Sequence, residues 1–449
     1  MNKSYLWLPG TRRSAPLHVI AVSCALFLAP STAFAQSKVL QYDSKGRVIS
    51  ADEYNADTTA KTQSSEDKNA SQDAMSPDWD MDFGNGPGAD PKPKPEYEPD
   101  EVLVMDPSED FEGRVTALGF RVLENLTMEA LGIRMLRLST PKGMSVPDAI
   151  KRLSREFPGI TFDSNTRFGP SAGPEAKHPR TARILAGWQG ISPTCGKGIR
   201  LGQIDSGVDL AHPALKGQNI VHRAFTKPGR APGTNKHGTA IANILVGKAE
   251  WGGLLPGARL FSANMFEINE DGQMVGSAAA LIKAMEWLAN LKVDAVNLSI
   301  AGDDNKLVRR ALDIADRSGL LLVASVGSWG NSSRRAFPAS YREVIAVTAM
   351  KGKKLAYKYA NTGPHIDFAA PGTGIWAAAP GGGGTLHYGT SFAVPYITAT
   401  AGILKNAGRT NDARAFRKLL SRAVKDLGAP GRDDVFGYGA LNVRPACKS

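Results

Sequence analysis

One serine of this chain stands where its hydroxyl could act as a nucleophile. Gly389-Thr390-Ser391 follows a glycine-rich run and precedes an apolar, small-residue stretch that predicts a helix over 391–405. A hydroxyl at such a turn lies beside backbone N–H groups at the positive end of the helix, which suits a serine whose attack generates an oxyanion. A Gly-Thr-Ser run is also typical of an ordinary helix N-cap, so this motif alone leaves both interpretations open.

An acid and an imidazole occur at comparable junctions upstream. Asp205 ends a short apolar segment that predicts a buried strand, and open α/β sheets build their sites at the carboxyl ends of strands. His237 lies where a polar, glycine-containing loop enters a helix of small residues. Each residue alone could be structural, the aspartate as a turn cap and the histidine as a packed side chain. The chain order Asp, His, Ser is one of three known orders of hydrolytic triads.

The surrounding motifs complete a family resemblance. The chain resembles the subtilisin-like serine peptidases, or subtilases, and the matching motifs follow the family's order from about residue 195 to residue 445, which excludes coincidence. They are Ile204-Asp205-Ser206-Gly207, His237-Gly238-Thr239, Asn297-Leu298-Ser299-Ile300-Ala301-Gly302, Phe337-Pro338-Ala339, Ala369-Ala370-Pro371-Gly372, Gly389-Thr390-Ser391 and Phe436-Gly437-Tyr438-Gly439.

The resemblance implies a reaction and a role for each triad residue. Ser391 is expected to attack a peptide carbonyl, with His237 as the base that takes its proton and Asp205 as the group that orients the imidazole. The expected activity is that of a serine endopeptidase acting on polypeptides through an acyl-enzyme. This chemistry needs no cofactor or metal. Calcium binds many relatives, but no loop here concentrates enough carboxylates to assign a site.

One position departs from the family pattern. The family usually stabilises the oxyanion with a side-chain amide, and the residue expected to be Asn is Ser328 in this chain. Three interpretations stay open: Ser328 donates a weaker hydrogen bond, Asn331 replaces it, or the enzyme is slow or inactive. The last interpretation motivates an alternative function, that of a catalytically silent protein that binds peptides.

The resemblance also places the substrate. Ser299, Ile300, Ala301 and Gly302 are expected to offer a strand edge to which a peptide adds as an extra strand, with a facing edge near Gln273 to Gly276. The same segment, Val293 to Ile300, also fits a plain buried parallel strand, and the two interpretations are compatible.

Strand-like and helix-like segments alternate through residues 192–449, which predicts an α/β fold with a parallel sheet covered by helices on both faces. The predicted strands are Leu201–Ile204, Arg259–Met265, Ala295–Ile300, Leu320–Val326 and Val344–Thr348. The predicted helices are Gly276–Leu291, Asn305–Ser318, Ser391–Lys405 and Ala413–Val424.

The N-terminal hundred residues carry signals of export rather than of a core. Residues 1–35 combine three basic residues, a short apolar run and Ala33-Phe34-Ala35, which is typical of a secretory signal. A membrane anchor is the alternative, but the apolar run is too short to span a bilayer. We therefore expect an exported protein, periplasmic or extracellular, with no membrane segment after signal removal. Residues 36–100 hold 14 acidic and 7 basic side chains with many Pro and Gly, which predicts a largely disordered linker.

Residues 101–166 form a separate small α+β unit with the predicted order βαββαβ. Ser145 and Pro147 mark the start of its second helix. Its position before a subtilisin-like domain resembles that of an inhibitor-like propeptide, so the protein is expected to be a zymogen with its own propeptide as a partner. The alternative is an accessory binding domain. As a propeptide, its tail, Phe162 to Gly169, should lie in the substrate groove, and the linker 167–191 should contain the maturation site.

Two cysteines flank the predicted catalytic domain. We expect a Cys195–Cys447 disulfide that joins its two ends, since export places the pair in an oxidising compartment; two free thiols are the alternative. The net charge of +11 is expected to come from ordinary solvated lysines and arginines; a basic catalytic region that favours anionic cell surfaces or acidic substrates is the alternative. No aromatic residues are interleaved with the basic ones, so nucleic-acid binding is not indicated. A monomer is expected.

Overall fold

The computed structural model describes residues 39–42, 48–52, 97–170, 180–181, 188, 191–330 and 334–442. The described residues fall into two compact units, one with residues 39–41 and 48–52 and the other with residue 42 and the described residues from 97 on. Strand β1 (Val39–Tyr42) pairs with β2 (Val48–Asp52) in a two-stranded sheet, within the segment that the sequence predicts to be a disordered linker. The elements that follow all belong to the second unit.

The second unit begins with a segment of order βαββαβ, residues 97–170, which is the βαββαβ module below. Its elements are β3 (Tyr97–Met105), α1 (Phe111–Ala117), β4 (Arg121–Met128), β5 (Ile133–Ser139), α2 (Val146–Glu156) and β6 (Thr161–Pro170). The four strands are antiparallel in the spatial order β4-β5-β3-β6. Ser145 caps α2 by accepting from the backbone N–H of Asp148.

The remainder, residues 191–442, is the α/β module. Its strands are β8 (Arg200–Asp205), β9 (Ile220–Ala224), β10 (Arg259–Asn264), β11 (Phe266–Ile268), β12 (Met274–Ser277), β13 (Ala295–Leu298), β14 (Ile300–Gly302), β15 (Leu321–Ser325), β16 (Val344–Lys351), β17 (Leu355–Ala356), β18 (Phe368–Pro371), β19 (Thr373–Ala378) and β20 (Gly384–Tyr388), and β7 (Arg180–Thr181) precedes it. Its helices are α3 (Lys236–Val246), α4 (Ala278–Asn290), α5 (Lys306–Arg317), α6 (Val394–Asn406) and α7 (Ala413–Leu420), with short 3₁₀ turns at Ala249–Trp251 and Thr390–Phe392.

An eight-stranded sheet organises the α/β module. Its strands lie in the order β17-β16-β15-β13-β8-β10-β9, with β18 also paired to β16, and only the β16–β17 pair is antiparallel. Successive residues alternate between its two faces. Leu321 packs with α3 and α6 on one face, whereas Leu322 packs with α4 and α5 on the other. This confirms the predicted parallel α/β fold with helices on both faces.

The βαββαβ module uses both faces of its own sheet. Val102 and Val104 point toward α1 and α2 and form a small core with them. Leu103 and Met105 alternate with these valines along β3 and so lie on the opposite face of the sheet. There they belong to the same apolar cluster as α4 and α5 of the α/β module. Because the strand alternates in this way, one face is the module's own core and the other is an apolar interface.

Several predicted boundaries differ from the structure. The predicted strand 295–300 is two strands, because Ser299 marks the point where β13 leaves the main sheet and β14 begins. The predicted helix 276–291 begins at Ala278, since β12 continues through Ser277, which caps α4. The helix predicted from Ser391 begins at Val394, after the 3₁₀ turn at Thr390–Phe392.

Three further boundaries also shift. The helix predicted over 413–424 ends at Leu420, the residue that closes its apolar stripe. At the ends of the predicted unit 101–166, β3 begins at Tyr97 and β6 continues to Pro170, because each gains additional pairing partners there. Across the described ranges, no helix is both long and apolar enough to cross a bilayer.

Candidate active site

Asp205 is the last residue of β8, at the carboxyl end of a central strand of the sheet. It is fully buried, and its Oδ1 accepts a 2.6 Å hydrogen bond from the backbone N–H of Ser206. A buried carboxylate requires such partners because desolvation penalises the charge. The strand therefore delivers one fixed carboxylate to the edge of the sheet, where the sequence predicts it.

His237 lies in the first turn of α3, and that turn packs directly against the chain after Asp205. Gly238 makes the approach possible, because a Cβ there would lie 2.4 Å from the carbonyl oxygen of Ser206. The backbone N–H of Gly238 donates to Ser206 Oγ at 2.9 Å, and its carbonyl accepts from Gln203 Nε2 at 2.9 Å. These contacts fix the start of α3 relative to β8.

The acid and the imidazole meet in a buried pair. Nδ1 of His237 lies 2.8 Å from Oδ1 and 2.9 Å from Oδ2 of Asp205, and His237 is only 1% exposed. A carboxylate at Nδ1 holds the proton on that nitrogen and leaves Nε2 as the acceptor. Nε2 is buried and has no hydrogen-bond partner. The pair therefore presents one basic nitrogen that no neighbour occupies.

Ser391 lies in the 3₁₀ turn before α6 and is bound to the end of β13. Its Oγ donates to the carbonyl oxygen of Ser299 at 3.2 Å, and Ser299 Oγ donates to the carbonyl oxygen of Ser391 at 2.9 Å. Since Leu298 pairs with Ile204 in the sheet, this anchor places Ser391 at the same sheet edge as Asp205. The structure thus brings Asp205 and His237 into contact, while the Ser391 hydroxyl bonds to Ser299 and not to His237 Nε2.

Two residues that support Ser391 are absent from the sequence-based site. Asn297 Nδ2 donates to Ser299 Oγ at 2.8 Å, and Thr398 Oγ1 donates to Asn297 Oδ1 at 3.3 Å. A polar chain thus runs from α6 through β13 to the serine turn. Asn297 is the first residue of the matching motif 297–302. That its side chain points toward Ser299 could not be predicted from the sequence, because this depends on which face of the sheet the residue takes.

Phe392 packs between two histidines beside the serine. Its ring centroid lies 5.3 Å from that of His237 and 4.7 Å from that of His387. Burial lowers the pKa of His387 to about 3, and the nearby His237 adds to that shift. His387 is therefore neutral near pH 7, so it places no second positive charge beside the imidazole of His237.

Ser328 lies against Thr390, the residue before Ser391. Its Oγ accepts from the backbone N–H of Thr390 at 3.2 Å and lies 3.2 Å from Thr390 Oγ1. Buried Asn361 holds the loop, because its Oδ1 accepts from the backbone N–H of Trp329 and its own N–H donates to the carbonyl of Gly327. Asn331, the predicted substitute, lies outside the described residues. Ser328 is thus adjacent to the serine turn, as an oxyanion donor would need to be.

The predicted substrate edge is a strand edge, and another strand occupies it. β14 pairs antiparallel with β6 of the βαββαβ module, with Ala301 opposite Gly169. β12 pairs antiparallel with the other side of β6, with Gly276 opposite Phe168. Residues 167–170 therefore lie as a third strand between two groove walls, and Ser299 immediately precedes β14. The predicted tail, Phe162 to Gly169, began too early, because residues 161–166 pair with β3 inside the module and Phe162 packs in its core.

Gly302 of β14 lies directly against Phe168 in this groove. A Cβ on Gly302 would lie 2.5 Å from Cδ1 of Phe168, which is itself buried. On its other side, Gly302 exchanges two backbone hydrogen bonds with Phe337, at 2.8 and 3.0 Å. Only a residue without a side chain fits between these neighbours, so Gly302 shapes the pocket that holds the Phe168 ring.

Two further predictions concern a disulfide bond and the need for a metal. Cys195 is disulfide-bonded. Because Cys447 lies outside the described residues, its pairing with Cys195 stays a prediction. Within the part of the chain that the structure describes, no three His, Cys, Asp or Glu side chains gather as metal ligands would, and the expectation that no metal is required stays a prediction as well.

Comparison with known proteins supplies a family and a fold. The model of the subtilase family matches residues 196–439, more than half of the chain. The minor extracellular protease Epr of Bacillus subtilis strain 168 is 30% identical over 253 residues, which cover 56% of this chain and 38% of Epr. Subtilisin DY of Bacillus licheniformis is 28% identical over 262 residues, covering 56% of this chain and 92% of that protein. The chain thus spans well under half the length of Epr and nearly all of subtilisin DY.

A solved structure extends the comparison beyond residues 196–439, which the family model matches. Fervidolysin from Fervidobacterium pennivorans, described as a keratinolytic enzyme related to subtilisin, superposes with a TM-score of 0.63 at 21% identity. The superposition covers 78% of this chain and 62% of fervidolysin. This is more of the chain than residues 196–439 provide, so the likeness in fold includes residues outside that segment.

Proposed function

Because the chain belongs to the subtilase family, we propose that it is an exported serine endopeptidase, made as a zymogen, that hydrolyses polypeptides with Asp205, His237 and Ser391. The observation that carries the proposal is the buried Asp205–His237 pair, whose Nε2 has no partner, next to the turn that bears Ser391. A basic nitrogen left open in a buried site suits a base that awaits a substrate and its nucleophile.

The proposed reaction assigns one proton transfer to each step. Ser391 Oγ leaves the carbonyl of Ser299, bonds to the substrate carbonyl carbon and gives its proton to His237 Nε2. The protonated imidazole then donates that proton to the leaving amine as the peptide bond breaks. Water then attacks the ester on Ser391 and gives a proton to His237, which returns it to Ser391 Oγ as the carboxylic acid product leaves. Asp205 keeps Nδ1 protonated throughout and stabilises the imidazolium. One chain supplies all three residues, so a monomer suffices.

Ser328 is the proposed side-chain donor to the oxyanion. Its hydroxyl contacts Thr390, the residue before the nucleophile, at 3.2 Å, so a rotation about one bond redirects its proton toward the serine turn. A hydroxyl is a shorter and less oriented donor than an amide, so the stabilisation is smaller than in family members with Asn. The proposed enzyme is active, with a turnover limited by this donor.

Substrates are proposed to bind as an extended strand between β12 and β14. The tail of the βαββαβ module supports this, since β6 pairs with both walls through backbone hydrogen bonds. Backbone pairing supplies affinity for any extended peptide, and side-chain pockets add selection. The pocket filled by Phe168 favours an apolar residue at that position of the substrate.

The βαββαβ module is the proposed propeptide, and its contacts extend beyond the groove. Glu286 of α4 accepts from the backbone N–H groups of Ala130 and Leu131 at 3.0 and 2.9 Å. Asn305, the N-cap of α5, donates to the carbonyl of Ser164 and to Thr166 Oγ1, both at 2.9 Å. An occupied groove excludes other peptides, so the module inhibits the enzyme until it is cut and leaves.

Maturation is proposed to cut between β6 and β7. β6 ends at Pro170 opposite Ile300, one residue from the carbonyl of Ser299 that the nucleophile contacts. β7 pairs with β19 at Ile375 and Trp376, so the chain beyond the cut has its own place on the α/β module. Residues 171–179 connect the two strands.

Cleavage mapping tests the proposal. The full chain is expressed with its leader, and the matured protein is incubated with a mixture of unstructured polypeptides, whose products are identified by mass spectrometry. We expect internal cleavages, release of the βαββαβ module and a new N-terminus within 171–180, and none of these with Ser391→Ala. A wild-type protein that cuts neither itself nor the substrates, while still binding peptides, would instead support the silent peptide-binding function.

A further inference from the structure

A buried carboxylate of the βαββαβ module lies among three cations. Glu98 on β3 is only 2% exposed, and its Oε1 accepts from Arg167 Nε at 2.9 Å. Its Oε2 accepts from Lys227 Nζ at 2.6 Å and from Arg230 Nη2 at 3.4 Å. Arg167 belongs to the same module as Glu98, whereas Lys227 and Arg230 belong to the α/β module.

These ion pairs keep the carboxylate charged. Burial alone would raise the pKa of Glu98, but the hydrogen bonds and charges of Lys227 and Arg167 together outweigh it and leave the pKa below its ordinary value. Glu101 adds a second carboxylate, 2.9 Å from Lys227 Nζ. The module therefore supplies both carboxylates that pair with Lys227.

The two cations are fixed to a wall of the substrate groove. The backbone N–H of Lys227 donates to Glu267 Oε2, and Glu267 lies on β11. β11 pairs with β12, and Ser277 at the end of β12 lies opposite Arg167 on the strand in the groove. Lys227 and Arg230 thus keep their position beside the groove when the βαββαβ module leaves.

A side chain on the strand in the groove already reaches the carboxylate position. Arg167 Nε is four bonds from its Cα, and so is the carboxylate oxygen of a glutamate. A substrate glutamate in the register of Arg167 therefore brings an oxygen to where Arg167 Nε lies, 2.9 Å from the place that Glu98 Oε1 occupies in the docked module. Lys227 and Arg230 bind the other oxygen of the same Glu98 carboxylate, so the substrate oxygen would enter the space next to both cations.

We propose that, in the matured enzyme, Lys227 and Arg230 recognise an acidic side chain of the substrate at the position that Arg167 takes on β6. This inference rests on the proposed function, because the two cations lose Glu98 only when the module is released. The module itself has an arginine at this position, which would suggest a preference for basic substrate residues. Arg167, however, pairs with Glu98 of its own module, so it does not report what the groove prefers.

The acidic groups that remain leave room for the substrate carboxylate. Glu267 accepts from the backbone of Lys227 and lies 3.8 Å from Arg230 Nε, and Glu270 lies 3.5 Å from Arg230 but is 88% exposed in its side chain. An exposed pair of that kind contributes little. In the described part of the chain, both ion pairs of Lys227 Nζ are with the departing module, so Lys227 should attract a substrate carboxylate more strongly than Arg230 does.

Three matched peptides test the inference on the matured enzyme. Each carries the sequence of residues 163–176, with Arg, Gln or Glu in place of residue 167, and kcat/KM is measured at low and high salt. We expect the Glu peptide to be hydrolysed about tenfold faster than the Arg peptide, with Gln between them, because a charge-assisted hydrogen bond is gained. The advantage should shrink in high salt.

Variants assign the effect to the two cations. Lys227→Gln and Arg230→Gln should each bring the Glu-to-Gln ratio toward one, and Lys227→Glu should favour the Arg peptide. Arg409→Gln, beyond the far end of α6, removes one exposed charge as a control and should leave the ratio unchanged. Equal rates for all three peptides, a faster Arg peptide, or a Glu preference that survives both variants would overturn the inference while leaving the peptidase intact. Failure to hydrolyse any of the peptides would remove the proposed function and this selectivity together.

Discussion

The proposed catalytic centre and the proposed substrate groove are built from different parts of the chain. At the proposed centre, each task depends on one side-chain group: the carboxylate of Asp205, Nε2 of His237 and Oγ of Ser391. In the groove, β12 and β14 hold β6 by backbone pairing, and side chains contribute at positions such as Phe168, whose ring packs against Gly302. Substitutions at the centre should therefore change turnover, whereas substitutions in the groove should change binding.

Asp205→Asn should have the largest effect of the substitutions considered, and that effect should be on turnover and not on binding. The amide can donate to Nδ1 and so favours the wrong imidazole tautomer, and we expect kcat to fall about 10⁴-fold with little change in KM. Because this variant will not mature itself, the wild-type enzyme processes it before steady-state kinetics are measured. A comparable rise in KM would mean that the centre and the groove are not separable.

Glu98→Gln should change docking of the βαββαβ module and leave turnover of the matured enzyme unaffected. Removing one partner of a buried ion-pair cluster leaves cations uncompensated, so we expect the released module to inhibit about 30-fold more weakly at pH 7. Inhibition constants of the separated module, measured against the matured enzyme, give the comparison.

The pH dependence of this docking has a defined sign. The lowered pKa of Glu98 means that its ion pairs stabilise the docked state above the ordinary value of 4.5 and are lost as the pH falls through the lowered value. The wild-type and Glu98→Gln modules should therefore converge in affinity in that acidic range. A difference that persists unchanged at low pH would show that the carboxylate does not act through its charge.

Ser328 should tune turnover in both directions. We expect Ser328→Ala to lower kcat about tenfold and Ser328→Asn to raise it about tenfold, because a fixed amide is a better oxyanion donor than a rotatable hydroxyl. KM for a short peptide should stay constant in both variants. If neither substitution changes kcat, Ser328 does not face the oxyanion, and Asn331 becomes the candidate.

Gly302→Ala should give the smallest effect, and only in binding. The added Cβ would crowd an aromatic ring in the position of Phe168, so we expect KM for a peptide with Phe there to rise about fivefold. A peptide with Ala at the same position is the matched control, and its KM should rise less, because only the contact of the new Cβ with the peptide backbone remains. A fall in kcat for both peptides would show instead that the groove wall positions the nucleophile.

The same contrast explains what the sequence could predict. Asp205, His237 and Ser391 each stand at a junction between a loop and a regular element, and such junctions are visible as motifs, so their positions at the sheet edge could be predicted. The alternation of strands and helices likewise predicts the parallel sheet. Ser145 as an N-cap follows from local chemistry alone.

The remaining features depend on tertiary contacts that no local pattern encodes. The break at Ser299 arises because β14 pairs with a strand more than a hundred residues away, so the strand-like segment 295–300 predicted one strand where there are two. The hydrogen bonds that link Thr398 and Asn297 to the turn of Ser391 could not be predicted, because they depend on which way the side chains of β13 point. The cluster around Glu98 joins charges from three separate segments, each of which resembles ordinary solvated surface in the sequence.

Labelling by a fluorophosphonate tests the central claim most directly, because such probes react only with an activated serine. The matured wild-type protein should label rapidly and stoichiometrically, with the adduct mapped to Ser391. His237→Ala, processed by the wild-type enzyme, should label at least about 10³-fold more slowly, since the hydroxyl loses its base. Labelling of a residue other than Ser391, or equal labelling rates with and without His237, would contradict the proposed proton transfer from Ser391 to His237.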